Sequence, residues 1–117
     1  MRVRMKIWLE ERGVPVFGEG RYRLLKAVER EGSIAGAARS LGMSFRSAWT
    51  HLDRAERALR CRLLIRSRGG SGGGSTRLTT RARKLLRTYE RISRGVESYV
   101  AGQDLTEGGS SGAPPAS

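Results

Sequence analysis

Apolar residues occupy every second position near the start of the chain, a period that is typical of a β-strand: Val3, Met5, Ile7 and Leu9. The triplet at 11–13 predicts a turn, and segment 14–17 predicts a second short strand. Pro15 confines that second strand to an edge or an end, because proline has no backbone N–H to donate. The chain therefore opens with a predicted β-hairpin, which ends at Gly18.

Three helices are predicted next. Helix one spans about 21–31 and stops at Gly32. Helix two follows Ser33, which has the chemistry of an N-cap, and its apolar stripe consists of Ile34, Ala37, Ala38 and Leu41. Helix three spans 44–59, and its buried face is predicted from apolar residues four and three positions apart: Ala48, Leu52, Ala55 and Leu59.

The remainder of the chain predicts two strands around a glycine-rich loop, and then a long helix. Segment 62–66 is a predicted strand, 67–75 is the loop, and 77–78 is a short returning strand. Helix four starts at an N-cap, either Thr79 or Thr80, and reaches about residue 101. The low-complexity segment 102–117 is predicted to be a disordered tail.

Segment 33–55, SIAGAARSLGMSFRSAWTHLDRA, has the chemistry of a helix-turn-helix. Small alanines at 37 and 38 let two helices cross closely, Gly42 permits a tight turn, and Ser44 satisfies N–H groups at the start of the second helix. In such a unit the second helix inserts its N-terminal residues into the major groove of DNA. A plain helix pair inside an unrelated α-protein is the alternative that the pattern leaves open.

The strands around the glycine-rich loop make the unit a winged helix. Arg66, Arg68 and Arg77 flank the loop, so a basic wing could lie along a phosphate backbone or reach the minor groove. A P-loop is disfavoured because the Gly-Lys-Ser/Thr ending is missing, while an inert linker stays open. The predicted fold class is mainly α with small β elements: a winged helix-turn-helix domain over 1–101, with an N-terminal β-hairpin and a long C-terminal dimerisation helix.

Charge points to a polyanionic partner. The chain has 23 Lys and Arg against 11 Asp and Glu, a net charge of +12. Segment 33–94 holds 15 basic and three acidic residues, so the whole excess lies there. Phosphate neutralisation with counterion release needs such a surface, although a solvated arginine-rich surface that only maintains solubility would have the same composition.

Several function classes are disfavoured by composition. One cysteine and one histidine make a poor stock of metal ligands and of groups for proton transfer, and no carboxylate pair or nucleophile–base set is apparent, so we expect neither an enzyme nor a cofactor. The longest apolar runs are too short to span a bilayer, and the first residues do not form a signal peptide. We therefore expect a soluble cytoplasmic protein with no membrane partner.

The predicted DNA-binding residues lie on the two helices and on the wing. Arg46 is the best candidate for a base contact, because arginine pairs bidentately with guanine O6 and N7. Phe45 and Trp49 flank the core face, where packing is favoured over contact with a thymine methyl group. Cys61 is predicted to be a small buried residue, and His51 a surface or packing residue. The full predicted DNA-binding set is Ser33, Ser44, Phe45, Arg46, Ser47, Thr50, Arg54, Arg57, Arg66, Arg68 and Arg77.

Helix four carries an apolar series with alternating steps of four and three, which is the a/d pattern of a coiled coil. Its first part could pack on the domain's own core, but the later part outruns so small a domain. The predicted homodimer interface is Leu85, Tyr89, Ile92, Val96 and Tyr99. A homodimer also fits a palindromic operator with half-sites about one helical turn apart.

The chain resembles the DNA-binding domain of ModE-type molybdate-responsive regulators, which are close kin of the LysR-type winged helix. The resemblance lies in KIWLE at 6–10, PVFGEGR at 15–21, LLKAVEREGSIAGAARSLGMSFRSAW at 24–49, and the glycine-rich wing that ends in RLTTRARKLL. It implies a homodimer that binds a palindromic operator, and a link to molybdate or tungstate uptake or metabolism. Full-length regulators of that type continue into molybdate-binding domains, for which this chain leaves no room, so we do not expect it to sense an oxyanion itself. Its effector stays open.

The predicted function is that of a sequence-specific regulator that binds double-stranded DNA. In this prediction helix three (44–59) lies in the major groove, and the wing lies on the backbone or in the minor groove. A chromatin-like architectural protein with little sequence preference would share the charge and the fold. A module whose winged helix docks on protein is a third possibility.

Overall fold

The computed structural model describes residues 2–67 and 74–103, and the predicted mainly α winged helix-turn-helix fold is confirmed. The elements in chain order are β1 Trp8–Glu11, β2 Val14–Gly18, α1 Glu19–Glu31, α2 Ile34–Ser40, α3 Phe45–Leu59, β3 Leu64–Ser67, β4 Ser75–Leu78 and α4 Thr80–Ala101. The centre of the predicted loop, including Arg68, lies outside the described residues, as does most of the predicted tail.

Helix ends in the helix-turn-helix follow from local chemistry. Gly32 ends α1 in the left-handed conformation, at φ +75°, which costs glycine little because it has no Cβ. Ser33 then caps α2, because its Oγ accepts a hydrogen bond from the Gly36 amide at 2.9 Å. Gly42, at φ +69°, makes the turn into α3. These features place α2 and α3 against each other as predicted.

One core joins all four helices, the hairpin and the wing. Its largest fully buried side chains come from β2, α1, α3, the start of the wing, and α4: Phe17, Leu24, Leu25, Val28, Leu52, Leu63, Leu64 and Leu86. The alanines of α2 and α3 are buried as well, which lets the helices approach closely. Burial of this apolar surface is the main force that holds α3 in place.

Tyr89 of α4 belongs to this core, so its predicted place in a dimer interface is wrong. Its side chain is only 5% exposed. Its ring meets Phe17 edge-on at 5.4 Å and lies 5.1 Å from Tyr22, and its hydroxyl donates to the Ile7 carbonyl oxygen at 2.7 Å. Leu85 also packs partly against the core. The first half of α4 is therefore occupied within the protomer.

The strands differ in extent from the prediction. β1 covers Trp8–Glu11 and not 3–9, and Val3 and Met5 are exposed. The hairpin register shifts between Leu9 and Glu10, a bulge that interrupts the regular alternation. In the wing, β3 and β4 pair antiparallel from Leu64↔Leu78 to Ser67↔Ser75, so both strands reach further into the predicted loop than expected.

A polar cluster joins α1 to α4 beside the aromatic contacts. The Tyr22 hydroxyl donates to a Glu90 carboxylate oxygen at 2.6 Å, and Lys26 Nζ lies 3.3 Å from the same oxygen. The hydrogen bond from Tyr22 lowers the pKa of Glu90, and Lys26 acts in the same direction. Burial, followed by this bond, raises the pKa of Tyr22 to about 12.

Candidate nucleic-acid interface

Helix α3 presents a polar face on the side opposite its buried stripe. Ala48, Leu52 and Ala55 are buried, which turns the opposite side of the helix toward solvent. That side and its flanks carry the predicted contact residues, of which Arg46, Arg54 and Arg57 are exposed, and Ser47 and Thr50 are half-buried. The arginines of the predicted recognition face are therefore accessible, and the residues between them are partly so.

The arginines of this face differ in their partners. Arg57 forms an ion pair with Asp53 at 3.0 Å, one turn earlier on the helix. Within 2–67 and 74–103, neither Arg46 nor Arg54 forms an ion pair with an acidic group. Arg46 lies in the first turn of α3 and keeps its guanidinium donors for a ligand, so it is the group on this face best suited to a bidentate contact with a guanine edge.

The side chains of the two N-cap serines, Ser33 and Ser44, accept hydrogen bonds from backbone amides. Ser44 Oγ accepts from the Ser47 amide at 3.0 Å, and Ser33 Oγ accepts from the Gly36 amide. A hydroxyl that accepts one bond still has a proton to donate. Ser33 and Ser44 can therefore cap their helices and donate to a phosphate or a base at the same time.

Two aromatic residues of α3 lie on its surface. Phe45 is 54% exposed and Trp49 is 41% exposed, so both flank the core face as expected and neither is buried by packing there. The helical periodicity of α3 could not decide whether these two side chains are buried or exposed, because they lie at the edge of the buried stripe. Their exposure leaves an apolar area on the recognition helix.

These aromatic side chains line a groove of about 380 Å³ between the helix-turn-helix and the wing. Ser33 and Arg39 lie on the α2 side, and Arg66 and Ser75 on the wing side. The structure thus brings Ser33, Phe45 and Arg66 of the predicted set together. Arg77 is exposed on β4, opposite Ile65 in the strand pair.

Glu56 connects α3 to the wing and was missed as a site residue. Its side chain is buried, and one carboxylate oxygen accepts from the amides of Leu63 at 2.8 Å and Leu64 at 3.1 Å. The other oxygen lies 4.0 Å from an Arg66 guanidinium nitrogen. Its position directly after buried Ala55, in an acid-poor stretch, was the signal in the sequence.

The second half of α4 leaves apolar groups accessible. Ile92 is 39% exposed and Tyr99 is 71% exposed, while Val96 is half-buried. Of the other residues singled out, His51 is exposed and Cys61 is half-buried, so Cys61 is more open than predicted.

Within the described ranges, no group of three or more His, Cys, Asp or Glu residues could hold a metal ion. Among the helices of those same ranges, none combines the length and the apolar character needed to cross a membrane.

Known proteins similar to this chain include several regulators. The transcriptional regulator ModE of Haemophilus influenzae is 43% identical over 77 residues, which cover 66% of this chain and 30% of that protein. The molybdenum-pterin-binding protein MopA of Rhodobacter capsulatus is 37% identical over 78 residues, 67% of this chain and 29% of that protein. The chain thus spans about 30% of the length of these relatives.

Solved structures share the fold. The CbnR_DBD–DNA complex is similar with a TM-score of 0.54 and 26% identity, over 72% of this chain and 97% of that chain. ArgP from Mycobacterium tuberculosis is similar with a TM-score of 0.55 and 22% identity, over 71% of this chain and 29% of that chain. Residues 20–83 match the family described as bacterial regulatory helix-turn-helix protein, lysR family. This match includes α2, α3 and the wing, and the chain belongs to the lysR family of bacterial regulatory helix-turn-helix proteins.

Proposed function

We propose that this chain binds double-stranded DNA in a sequence-specific way as part of a transcriptional regulator. The observation that carries the proposal is the exposed arginine face of α3, which begins at Arg46 and lies within the segment that holds the whole positive excess. The first turns of α3 enter the major groove, and the wing lies along the backbone or the minor groove. The similarity to the CbnR_DBD–DNA complex supports this arrangement.

The contacts divide by role. Arg46 reads a guanine, and Ser44, Ser47 and Thr50 contact base edges or phosphates near it. Arg54 lies about two turns further along α3 than Arg46, where the helix leaves the groove, and binds phosphate. Arg57, held by Asp53, contributes mainly to the positive potential.

The chain acts as a homodimer on a palindromic operator. The accessible apolar groups at the end of α4, Ile92 and Tyr99 with Val96 beside them, form the protomer contact. Two recognition helices related by a two-fold axis then read equal half-sites about one helical turn apart. Sedimentation of the wild type and of an Ile92→Ser/Tyr99→Ser variant checks this: we expect a dimer that the double substitution weakens, and a concentration-independent monomer would contradict it.

The regulated genes concern molybdate or tungstate uptake or metabolism. The support is the similarity to the ModE and MopA proteins, some of whose names refer to molybdenum transport or to molybdenum–pterin binding. The effector is left open, and oxyanion sensing is not assigned to these residues.

Selection from a random duplex library tests the function. The enriched duplex and a scrambled one are then titrated by fluorescence anisotropy at two salt concentrations. We expect the enriched duplex to bind at least about 10³-fold more tightly, the range usual for specific sites. Equal binding with a steep shared salt dependence would instead support a low-specificity architectural protein, and binding to neither duplex would indicate a protein partner. Molybdate or tungstate is added in a second series.

A further inference from the structure

The groove between α3 and the wing contains the Arg66 guanidinium, which has two neighbours on α3. The Arg66 guanidinium carbon lies 6.0 Å from the centre of the Trp49 ring, within the range of a cation–π contact. An Arg66 guanidinium nitrogen also lies 4.0 Å from a Glu56 carboxylate oxygen. Because Glu56 is itself fixed by the Leu63 and Leu64 amides, it does not swing away from the wing.

Arg66 nevertheless keeps donors for a ligand. Its side chain is 34% exposed, and within 2–67 and 74–103 no hydrogen bond from the Arg66 guanidinium is present. The 4.0 Å separation from Glu56 is a charge contact and is too long for a hydrogen bond. A guanidinium presents five N–H groups in a planar fork, which matches the oxygens of a phosphate.

The rest of the groove suits a sugar–phosphate strand. Phe45 and Trp49 line it with apolar surface against which a deoxyribose can pack, and the hydroxyl-bearing Ser33 and Ser75 line it from α2 and from the wing. Arg39 on the α2 side and Arg66 on the wing side give the groove positive charge that attracts phosphates. One DNA backbone strand can therefore pass between the recognition helix and the wing.

We propose that Arg66 binds one phosphate of this strand and that Trp49 is the residue that positions Arg66 for it. This inference rests on the proposed function, because it assumes that α3 faces DNA. The cation–π contact with the indole favours this position of the guanidinium before DNA arrives, so less rotamer freedom is lost on binding. Trp49 thus acts through Arg66 and not as a reader of bases.

A double-mutant cycle tests the coupling. The full chain and the variants Arg66→Gln, Trp49→Leu and Trp49→Leu/Arg66→Gln are titrated with the enriched duplex over a series of salt concentrations. Arg66→Gln should reduce the slope of log K against log salt by about 0.9 for each phosphate that the side chain no longer neutralises. Trp49→Leu should weaken binding about two- to fivefold per half-site, the size of a cation–π contact, and should cost nothing further in the Arg66→Gln background.

Two controls separate positioning from folding. Trp49→Phe keeps an aromatic face and should retain most of the affinity, whereas Trp49→Leu should not. Thermal unfolding of each variant must stay close to the wild type, and exposed Trp49 makes that the expected result.

A series of duplexes with single neutral methylphosphonates should include one position that weakens the wild type but not Arg66→Gln.

The outcomes are distinct. If Trp49→Leu weakens binding equally with and without Arg66, Trp49 contacts DNA directly or only supports the fold, and the proposal is overturned. If the scrambled duplex binds as tightly as the enriched one, the proposed specificity fails, yet the cycle still decides the role of Trp49 on either duplex. If no duplex binds, both proposals are overturned.

Discussion

Glu56 is the single side chain on which the relation between the recognition helix and the wing depends most. It is a buried carboxylate in a basic segment, and it satisfies two amides at the start of β3. Loss of a buried acceptor leaves its donors without a partner, which costs about 1–3 kcal/mol for each such group. The main role of Glu56 is therefore to stabilise the fold, although its carboxylate also lies 4.0 Å from an Arg66 guanidinium nitrogen.

We expect Glu56→Ala to lower the free energy of unfolding by at least about 1–3 kcal/mol, because both amides lose their acceptor. Glu56→Gln retains one carbonyl oxygen and should cost clearly less. Urea denaturation of the two variants measures the difference. An alanine variant as stable as the wild type would show that these bonds do not stabilise the fold.

Glu90 predicts a pH dependence. Its folded pKa lies below the ordinary value of 4.5, so the carboxylate stabilises the fold above its unfolded pKa, and this contribution is lost as pH falls through the lowered folded pKa. Urea denaturation from about pH 7 to about pH 3, compared with Glu90→Gln, should show the two proteins converging at low pH. A gap that widens as pH falls would contradict the sign.

Tyr22 predicts a pH dependence in the alkaline range. Its folded pKa is raised to about 12, so the neutral phenol stabilises the fold below its ordinary value of 10.0, and that stabilisation is lost as pH rises toward 12. The stability of Tyr22→Phe should therefore depend less on pH in this range than that of the wild type. Equal alkaline slopes for the two proteins would show that Tyr22 is not the group responsible.

The sequence predicts either Thr79 or Thr80 as the N-cap of helix α4. Thr79 is the N-cap: its Oγ1 accepts from the Ala82 amide at 3.1 Å and donates to the Arg62 carbonyl oxygen at 2.9 Å. We expect Thr79→Ala to lower stability by about 1 kcal/mol, as for other caps. Thr80→Ala, at the neighbouring exposed position, is the matched control in thermal unfolding, and equal losses would contradict the assignment.

The elements could be predicted wherever local chemistry and periodicity agree. The caps at Ser33 and Ser44 and the stripe of α3 determine the helix-turn-helix, so its helices end close to the predicted residues. β1 could not be placed, because the alternation at 3–9 continues beyond the residues that pair with β2. Periodicity also cannot say how far along α4 the contacts within the protomer extend, and Tyr89 shows that they reach at least to residue 89.

For the site, residue types were predictable and their surroundings were not. The arginines of α3 follow from sequence position, since a helix period places Arg46 opposite the buried alanines. The contact of Trp49 with Arg66 depends on where β3 lies relative to α3, a long-range packing outcome that no local pattern records. The same holds for Glu56, whose partners lie seven and eight residues away.

At the scale of the whole molecule, charge and fold agree. The positive excess lies between residues 33 and 94, which includes the helix-turn-helix, the wing and the first part of α4. A net charge of +12 alone would attract any nucleic acid, so affinity by itself cannot distinguish a regulator from an architectural protein. Only a difference in affinity between DNA sequences can distinguish the two, and that difference should depend on the first turn of α3.

The most direct test is therefore the specificity of Arg46→Ala. Wild type, Arg46→Ala and the exposed control Arg23→Ala of α1 are titrated with the enriched and the scrambled duplex at the same salt concentration. Arg46→Ala should lose about 1–3 kcal/mol on the enriched duplex and far less on the scrambled one, while Arg23→Ala should lose little on either. An equal loss on both duplexes would contradict base reading by Arg46 and, with it, the proposal that α3 gives this chain its sequence specificity.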